Sequence, residues 1–167
     1  VTAELNILLQ RLIQRKLWNF DAPPVQPGRR PKLLVNDKVI QTRNNYDLGV
    51  MNGSMGFVRR VGADGSLTVE FDDKMVNIEA GSPHRNDIQL AFALTIHKAQ
   101  GSEFPCSIVI AHKSHSFMHH RNLLYTAVTR AKESVVIVGD RWGIDNCAAK
   151  RQVDRRNTFL SFLLHQE

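Results

Sequence analysis

Two polar stretches in the second half of the chain carry the residue types that could do chemistry. Residues 95–104 combine a threonine, a histidine, a glutamine and a glutamate with Gly101, directly after an apolar run. Residues 121–132 predict a helix that carries Thr126, Thr129 and Arg130. An arginine can stabilise charge that develops on a transferred phosphoryl group, and a glycine lets the backbone approach a phosphate closely. The two stretches therefore favour a site for a phosphate-bearing ligand.

The apolar segments around these stretches predict an α/β arrangement. Residues 107–111 and 135–138 indicate short buried strands, and the predicted helix lies between them in sequence. This order is typical of a strand-helix-strand unit with parallel strands. Residues 90–94 are continuously apolar, so we predict a further strand there, buried on both faces of a parallel sheet. Residues 141–165 predict helical structure on the outside, without chemistry.

The first half of the chain has a different pattern. Leucines at helical spacing predict an amphipathic helix over residues 3–18 that packs on a core. Residues 21–32 are rich in proline and form a connector, in which Arg29 and Arg30 either contact phosphate or are simply solvated. From residue 36 to 79 the periodicity is two, with tight-turn signals at Asn52-Gly53 and Asp64-Gly65. Four or five short strands without a helix predict a small β-barrel.

The composition limits the class of protein. The chain has 167 residues, 43% of them hydrophobic, and a formal net charge of +6 with a pI of about 9.7. A basic balance favours a polyanionic partner such as nucleic acid. We interpret Cys106 and Cys147 as reduced thiols of a cytoplasmic protein, and we expect no membrane association. The chain begins at Val1 and contains neither a GxxxxGK[ST] loop nor a strand ending in paired acidic residues, so we expect part of a longer protein.

Three segments resemble superfamily 1 DNA helicases. The segment ALTIHKAQGSEF resembles their motif V, and LLYTAVTRAK resembles their motif VI. The amino-acid sequence of this motif V is similar to that of the RecD-like branch, which includes conjugative relaxase-type helicases. The segment DKVIQTRNNYDLGVMNGSMGFV resembles the SH3-like insertion of RecD-like helicases. The resemblance implies a partial RecA-like helicase domain of the P-loop NTPase class over residues 1–31 and 87–167, with an inserted SH3-like small β-barrel over residues 32–86.

The resemblance also implies roles at a nucleotide. Arg130 matches the motif VI arginine, which implies a catalytic arginine finger on the γ-phosphate of ATP. Gln100, Gly101 and Glu103 match motif V positions that imply ATP binding, with the glutamate accepting a hydrogen bond from the ribose. From the residues alone, Arg130 could instead form a surface salt bridge on its helix.

Single-stranded DNA is the second implied ligand. Thr95 and His97 match positions that touch DNA, although a hydroxyl bonded to its own loop and a buried imidazole are the simpler alternatives. The loop that opens the predicted insertion offers a further contact, where an aromatic ring can stack on a base while amides bond the backbone. A plain Asx-turn loop explains the same residues. The residues of this candidate contact are Arg43, Asn44, Asn45 and Tyr46.

The histidines of the loop before motif VI do not predict a metal site. They lack a neighbouring cysteine or carboxylate at metal-ligand spacing, and a solvated basic loop explains them better. These residues are His112, His115, His119 and His120.

The resulting prediction is part of a RecD-like helicase. The resemblance implies 5′-to-3′ translocation on single-stranded DNA, driven by ATP and Mg²⁺ held mainly by an N-terminal RecA-like motor domain of the same chain. We expect this chain to bind neither cofactor and to be inactive alone. The alternative is a non-catalytic module that binds nucleic acid or protein on a degenerate RecA-like scaffold. Repair, recombination, conjugation and a phage role all remain open.

Overall fold

The computed structural model describes residues 2–26, 28–72, 74–118 and 120–150. The chain divides into two compact units, the first extending to Lys98 and the second beginning at Ala99. Each unit contains its own sheet, antiparallel in the first and parallel in the second. The predicted domain limits, 1–31 with 87–167 and 32–86, stay a prediction.

The first unit begins with helix α1, Thr2–Trp18, which confirms the predicted helix. Glu4 lies in the first turn and Arg15 and Lys16 lie in the last, so both ends complement the helix dipole. The helix ends where Asn19 adopts a left-handed conformation with φ 49°, and the N–H of Phe20 closes the end on the carbonyl of Gln14 at 3.1 Å.

The buried face of α1 is polar, which corrects the expectation that its leucines pack on a core. Asn6, Gln10 and Gln14 are buried, whereas Leu8 and Leu12 are about half exposed, at 52% and 46%. The reason lies in the segment beside the helix, whose carbonyls and one carboxylate need hydrogen-bond donors. Gln10 Nε2 and Gln14 Nε2 both donate to the carboxylate of the buried Asp37. The buried carboxylate needs hydrogen-bond donors, and this need places the polar face of the helix inside.

Five antiparallel strands form the sheet of the first unit, in the order β4-β3-β2-β1-β5. Four of them confirm the prediction of short strands without a helix between residues 36 and 79. Gly53 and Gly65 have φ angles of 93° and 92°, as the predicted tight turns require. The strands are β1 (Lys38–Gln41), β2 (Met55–Val61), β3 (Leu67–Phe71), β4 (Lys74–Ile78) and β5 (Ile88–Leu90), and a short 3₁₀ helix, Pro83–Asp87, precedes β5.

Strand β5 corrects the prediction of a parallel strand at residues 90–94. It ends at Leu90 and pairs antiparallel with β1, placing Leu90 opposite Val39. Its apolar side chains enter the core of the antiparallel sheet instead of a parallel one. A short apolar run looks the same in both settings, so sequence could not separate them. The core formed by this sheet consists of Leu33, Val39, Val50, Val58, Leu67, Val69, Phe71, Val76, Ile78, Ile88 and Leu90.

The second unit confirms the predicted strand-helix-strand order. Strand β6 (Phe104–Ala111) and strand β7 (Ala131–Gly139) are parallel, and helix α2 (Arg121–Val128) connects them after a 3₁₀ helix, Lys113–Met118. Gly139 lies so close to the carbonyl of Ala111 that a Cβ would collide with it.

Two helical predictions of this unit change at their C-terminal ends. Helix α2 ends at Val128, so Arg130 lies beyond it and not on it as predicted. Pairing of Phe104 with Ala131 starts strand β7 there and draws the chain out of the helix. Helix α3 spans Arg141–Ala149, and the remainder of the predicted segment 141–165 lies outside the described residues except for Lys150.

Candidate functional site

Arg130 is held by three hydrogen bonds, two to the loop of the first polar stretch and one to helix α2. The N–H of Phe104 donates to the Arg130 carbonyl at 2.8 Å. The guanidinium donates through Nη1 to the carbonyl of Ser102 and through Nε to the carbonyl of Thr126, both at 3.3 Å. Main-chain atoms of both polar stretches therefore fix the half-buried arginine, which the predicted helix alone would not have done.

Thr126 and Thr129 use their hydroxyls within helix α2. Thr126 Oγ1 donates to the carbonyl of Asn122, and Thr129 Oγ1 donates to the carbonyl of Tyr125, each at 2.9 Å. Such back-bonding satisfies the hydroxyls locally. These threonines shape the end of the helix that presents Arg130.

Glu103 forms an ion pair that sequence reasoning missed. Lys132 Nζ lies 2.9 Å from Glu103 Oε2, and both side chains are more than half exposed. The hydrogen bond and charge of Lys132, with a smaller contribution from Arg130, lower the pKa of the Glu103 carboxyl. Glu103 is therefore an ionised acceptor at neutral pH, and its carboxylate has lone pairs beyond the one that Lys132 uses.

Gln100 and Gly101 lie on the exposed turn that leads to this cluster. Gly101 has a φ of 84°, a backbone conformation that favours glycine, and nothing lies within 4 Å of the place where a Cβ would stand. The turn thus presents bare backbone to solvent next to Glu103. The second unit brings Gly101, Glu103 and Arg130 into one region, as their spacing suggested.

Thr95 and His97 belong to the first unit, and both are exposed. Thr95 Oγ1 accepts a hydrogen bond from the N–H of Lys98 at 3.3 Å, which is the local bond that the simpler alternative expected. The hydroxyl hydrogen of Thr95 can still be donated to a ligand. His97 is not a core imidazole, so that alternative is wrong. Asn6 from helix α1 binds the N–H and the carbonyl of Ala93 at 2.9 and 2.7 Å, and this fixes the chain two residues before Thr95.

The loop after β1 separates into a buried residue and exposed ones. Asn45 is 4% exposed, and its Oδ1 accepts from the N–H of Leu48 at 3.0 Å while its backbone pairs with Val50. The side chain of Asn45 therefore closes the loop and faces inwards. Its Nδ2 is buried without a hydrogen-bond partner among the described residues.

The other residues of this loop are exposed and are held by local polar contacts. Tyr46 is 76% exposed, and its hydroxyl accepts from Asn44 Nδ2 at 3.2 Å. Asn44 Oδ1 in turn accepts from the N–H of Asn52 at 2.8 Å, which anchors the pair to the next turn. Arg43 is exposed, with its Nε 3.7 Å from Asp87 Oδ1. An outward ring held by an anchored amide suits stacking on a base.

Two of the four histidines have local structural partners. His120 caps helix α2 by accepting at Nδ1 from the N–H of Leu123 at 3.1 Å. His112 Nε2 lies 3.4 Å from Asp140, and that carboxylate also accepts from the N–H groups of Lys113 and Gly143, which lower its pKa. Within the described ranges no three metal-ligating side chains lie together, and His119 falls outside those ranges.

Comparisons with known proteins show which family the chain resembles. Residues 90–138 match the UvrD-like helicase C-terminal domain, and residues 5–71 match the SH3 domain of ATP-dependent RecD-like DNA helicases. The chain is 41% identical over 127 residues to the ATP-dependent RecD2 DNA helicase of Deinococcus radiodurans, which covers 74% of this chain and 17% of that protein. It is 33% identical over 115 residues to the RecD subunit of the RecBCD enzyme of Mycobacterium tuberculosis, covering 69% of this chain and 20% of the relative.

A solved Pif1 helicase structure, from work on DNA unwinding at forked double-stranded DNA, is 26% identical to the chain. It aligns with a TM-score of 0.47 over 63% of this chain and 27% of that one.

The chain belongs to the RecD-like helicases of superfamily 1 and corresponds to part of their C-terminal region. Both fold-class predictions, a partial helicase domain and an SH3-like β unit, are confirmed. The chain spans a fifth or less of the length of the two relatives described above. No helix in the described part of the chain is long and apolar enough to cross a membrane.

Proposed function

We propose that this chain supplies the arginine finger and part of the DNA track of an ATP-dependent DNA helicase. The observation that carries the proposal is the cluster around Arg130. Its guanidinium rests on the carbonyl of Ser102, beside the ionised Glu103 and the bare backbone of Gly101. A cation, a carboxylate acceptor and an accessible glycine are the groups that a nucleoside triphosphate needs at its phosphate and ribose ends.

Arg130 is proposed to act during ATP hydrolysis by the complete protein. There, an N-terminal RecA-like motor domain of the same chain supplies most of the contacts to ATP and Mg²⁺. Among the described residues, the guanidinium of Arg130 donates its hydrogen bonds to neutral carbonyls at 3.3 Å. A phosphoryl oxygen that gains negative charge is a stronger acceptor than these carbonyls, so the guanidinium donates to it when the two motor domains close. Charge stabilisation then depends on closure, which couples hydrolysis to movement.

The proposed DNA contacts lie in the first unit. Thr95 and His97 offer a hydroxyl and an exposed imidazole, and Arg43, Asn44 and Tyr46 offer charge, an amide and a ring, with Asn45 shaping their loop. The proposed ligand is single-stranded DNA, and translocation along it runs 5′ to 3′, as the family resemblance implies. The cytoplasm, where DNA and ATP are both available, is the proposed location.

The test is ATP hydrolysis by the complete motor protein carrying Arg130→Ala. We expect kcat to fall by about a thousandfold or more, the range found for arginine fingers, with little change in KM. Arg121→Ala, which removes an exposed arginine at the start of helix α2, is the matched control and should leave kcat within about twofold. The 167-residue chain by itself is expected not to hydrolyse ATP.

Equal kcat values for Arg130→Ala and the control would refute the finger role. That result would favour the non-catalytic binding module. Turnover by the isolated chain that Arg130→Ala abolishes would instead show that this chain carries more of the active site than we propose.

A further inference from the structure

A polar groove in the first unit lies beside the loop that carries the proposed DNA contacts. Its volume is about 490 Å³, and the 3₁₀ helix before β5 forms one wall. Thr42 and Arg43, which directly precede Asn44, form the other wall. The connector contributes Arg30, a residue that neither the family motifs nor the proposed function uses. The groove is lined mainly by Arg30, Thr42, Arg43, His84, Asn86 and Asp87.

The fixed charges of this groove leave it positive. Arg30 and Arg43 bring two cations, and Asp87 brings the one carboxylate among the described lining residues. Arg43 Nε lies 3.7 Å from that carboxylate, so the pair is loose and the Arg43 side chain stays 81% exposed. An exposed ion pair of this length holds its arginine weakly. Both guanidinium groups therefore remain able to bind an anion.

Arg30 is positioned for binding by a bond that leaves its charge uncompensated. Its Nη1 donates to the backbone carbonyl of Asn86 at 2.8 Å, across 56 residues of sequence. A guanidinium has five donors, so four stay available when one is used. A neutral acceptor fixes the side chain without cancelling its charge, and this lowers the ordering cost of binding an anion.

The lining chemistry distinguishes between classes of ligand. Pockets for small organic molecules are predominantly apolar, whereas Pro83 is the one apolar side chain among the described residues that line this groove. Arginines with side-chain amides suit phosphate oxygens, whereas the Thr42 hydroxyl already donates to the carbonyl of Asp87 at 2.8 Å. The chain runs from Arg43 in the groove to Tyr46, and these three residues span at most about 11 Å. A polymeric ligand could therefore place a phosphate in the groove and a base on the Tyr46 ring.

We infer that this groove binds the phosphodiester backbone of single-stranded DNA, with Arg30 as a phosphate contact beside Arg43. The inference rests on the proposed function and extends its DNA track from the loop of Tyr46 to the connector and the 3₁₀ helix. Arg30 thereby changes from a linker residue to a binding residue. The groove positions the strand and carries no sequence information, because its ligand atoms are phosphate oxygens.

The experiment measures binding of a short oligothymidylate to the 167-residue chain at several salt concentrations. We expect Arg30→Gln to weaken binding roughly fivefold and to lower the slope of log K against log salt by about 0.7, the value for one phosphate contact on a single strand. Arg30→Lys should restore most of the slope, since it keeps the charge. Arg11→Gln removes the same charge from the exposed side of α1 and should behave like wild type.

A second variant protects the test against a change in folding. Asn86→Asp adds a carboxylate to the groove but keeps the backbone carbonyl that holds Arg30. It should weaken DNA binding with an unchanged midpoint of thermal unfolding. Identical affinities for Arg30→Gln, Asn86→Asp and Arg11→Gln would overturn the inference, and so would an absence of DNA binding by the chain.

Free phosphates are the other source of the same chemistry. Backbone amide NMR shifts of Thr42, Arg43 and Asn86 should respond to oligothymidylate far more than to ATP or inorganic phosphate at equal phosphate concentration. Equal responses would identify a site for small anions and overturn the inference. Loss of binding in Thr95→Ala or His97→Ala, with the groove variants normal, would leave the proposed function intact while refuting the groove.

Discussion

The antiparallel sheet of the first unit and the parallel pair of the second differ most in how far their apolar side chains are buried. In the first unit Val39, Val58 and Val69 are completely buried. In the second unit Ile108, in the middle of β6, is 69% exposed, and Val138, next to the end of β7, is 51% exposed. The first sheet builds a core, whereas the second buries Val109 and Ala111 but leaves several other apolar side chains exposed.

The Arg130 cluster lies where the backbones of β6 and β7 begin to pair, with Phe104 opposite Ala131. It is held by the main-chain bonds between β6 and β7 and by the carbonyl of Ser102. The groove and the Tyr46 loop, in contrast, are attached to strands whose opposite face is packed. Chemistry in the second unit is positioned by backbone pairing, and in the first unit by packing.

The two units should differ most in the stability that is lost when one apolar side chain of a strand is truncated. Leu67→Ala removes a side chain that is 1% exposed and should lower the free energy of unfolding by about 2–5 kcal/mol. Ile108→Ala is the matched change in the second unit and should cost less than about 1 kcal/mol, because the side chain is mostly solvated. Urea unfolding followed by Trp18 in one unit and Trp142 in the other gives both values.

Single-tryptophan backgrounds, Trp142→Phe and Trp18→Phe, keep the two signals separate. Similar losses for Leu67→Ala and Ile108→Ala would show that β6 and β7 are packed as firmly as the antiparallel sheet. The contrast between the two units would then be wrong.

An intermediate effect concerns Asp37, which is buried where α1 meets the chain before β1. Burial raises the pKa of its carboxyl above the usual 3.8, against the lowering by hydrogen bonds from Gln14, Leu34 and Gln10. The folded chain therefore holds this proton to higher pH than the unfolded chain. Stability from this group is full below the unfolded value and is lost as pH rises through the raised pKa.

Asp37→Asn should remove this pH dependence. We expect the variant to be less stable than wild type by about 1–3 kcal/mol at the acid end, because one donor loses its acceptor. The difference should shrink as pH rises, since wild type then buries a charge. Urea titrations from acid to neutral pH measure it, with Asp47→Asn in the exposed loop as the control. Parallel pH profiles for wild type and Asp37→Asn would contradict the prediction.

The smallest effect sharpens the description of the second unit. Lys132→Gln should raise the pKa of the Glu103 carboxyl back towards its ordinary 4.5, because Lys132 is the main cause of its lowering. In wild type the ion pair stabilises the fold above that value and ceases to do so as pH falls through the lowered pKa. Carbon-13 NMR titration of the side-chain carboxyl measures the shift, and Lys113→Gln should leave it unchanged. An unaltered pKa would mean that the pair does not persist in solution.

Motif and turn residues were the part of the fold that could be predicted. The resemblance identified Arg130, Gly101 and Glu103, and the structure brings their region together. Gly53 and Gly65 predicted the turns correctly, because few residue types other than glycine readily adopt a positive φ. Local rules worked where a conformation depends on the residue itself.

Non-local partners were the part that could not be predicted. The burial of Asn6, Gln10 and Gln14 depends on a carboxylate and carbonyls far along the chain, and periodicity records only which side chains share a face. The Arg30 bond to Asn86 crosses 56 residues and had no sequence signal. Leu90 could be assigned to a strand but not to a sheet, since an apolar run carries no information on its partner.

The family, the strand-helix-strand order and the side-chain types that can bind phosphate could all be inferred from the amino-acid sequence. Each follows from local spacing or from motif residues. Only the tertiary structure decided which face of α1 is buried, where α2 releases Arg130 and which cations meet in one groove. Those outcomes depend on hydrogen bonds and charges between distant residues, whose energies exist only once the chain has folded.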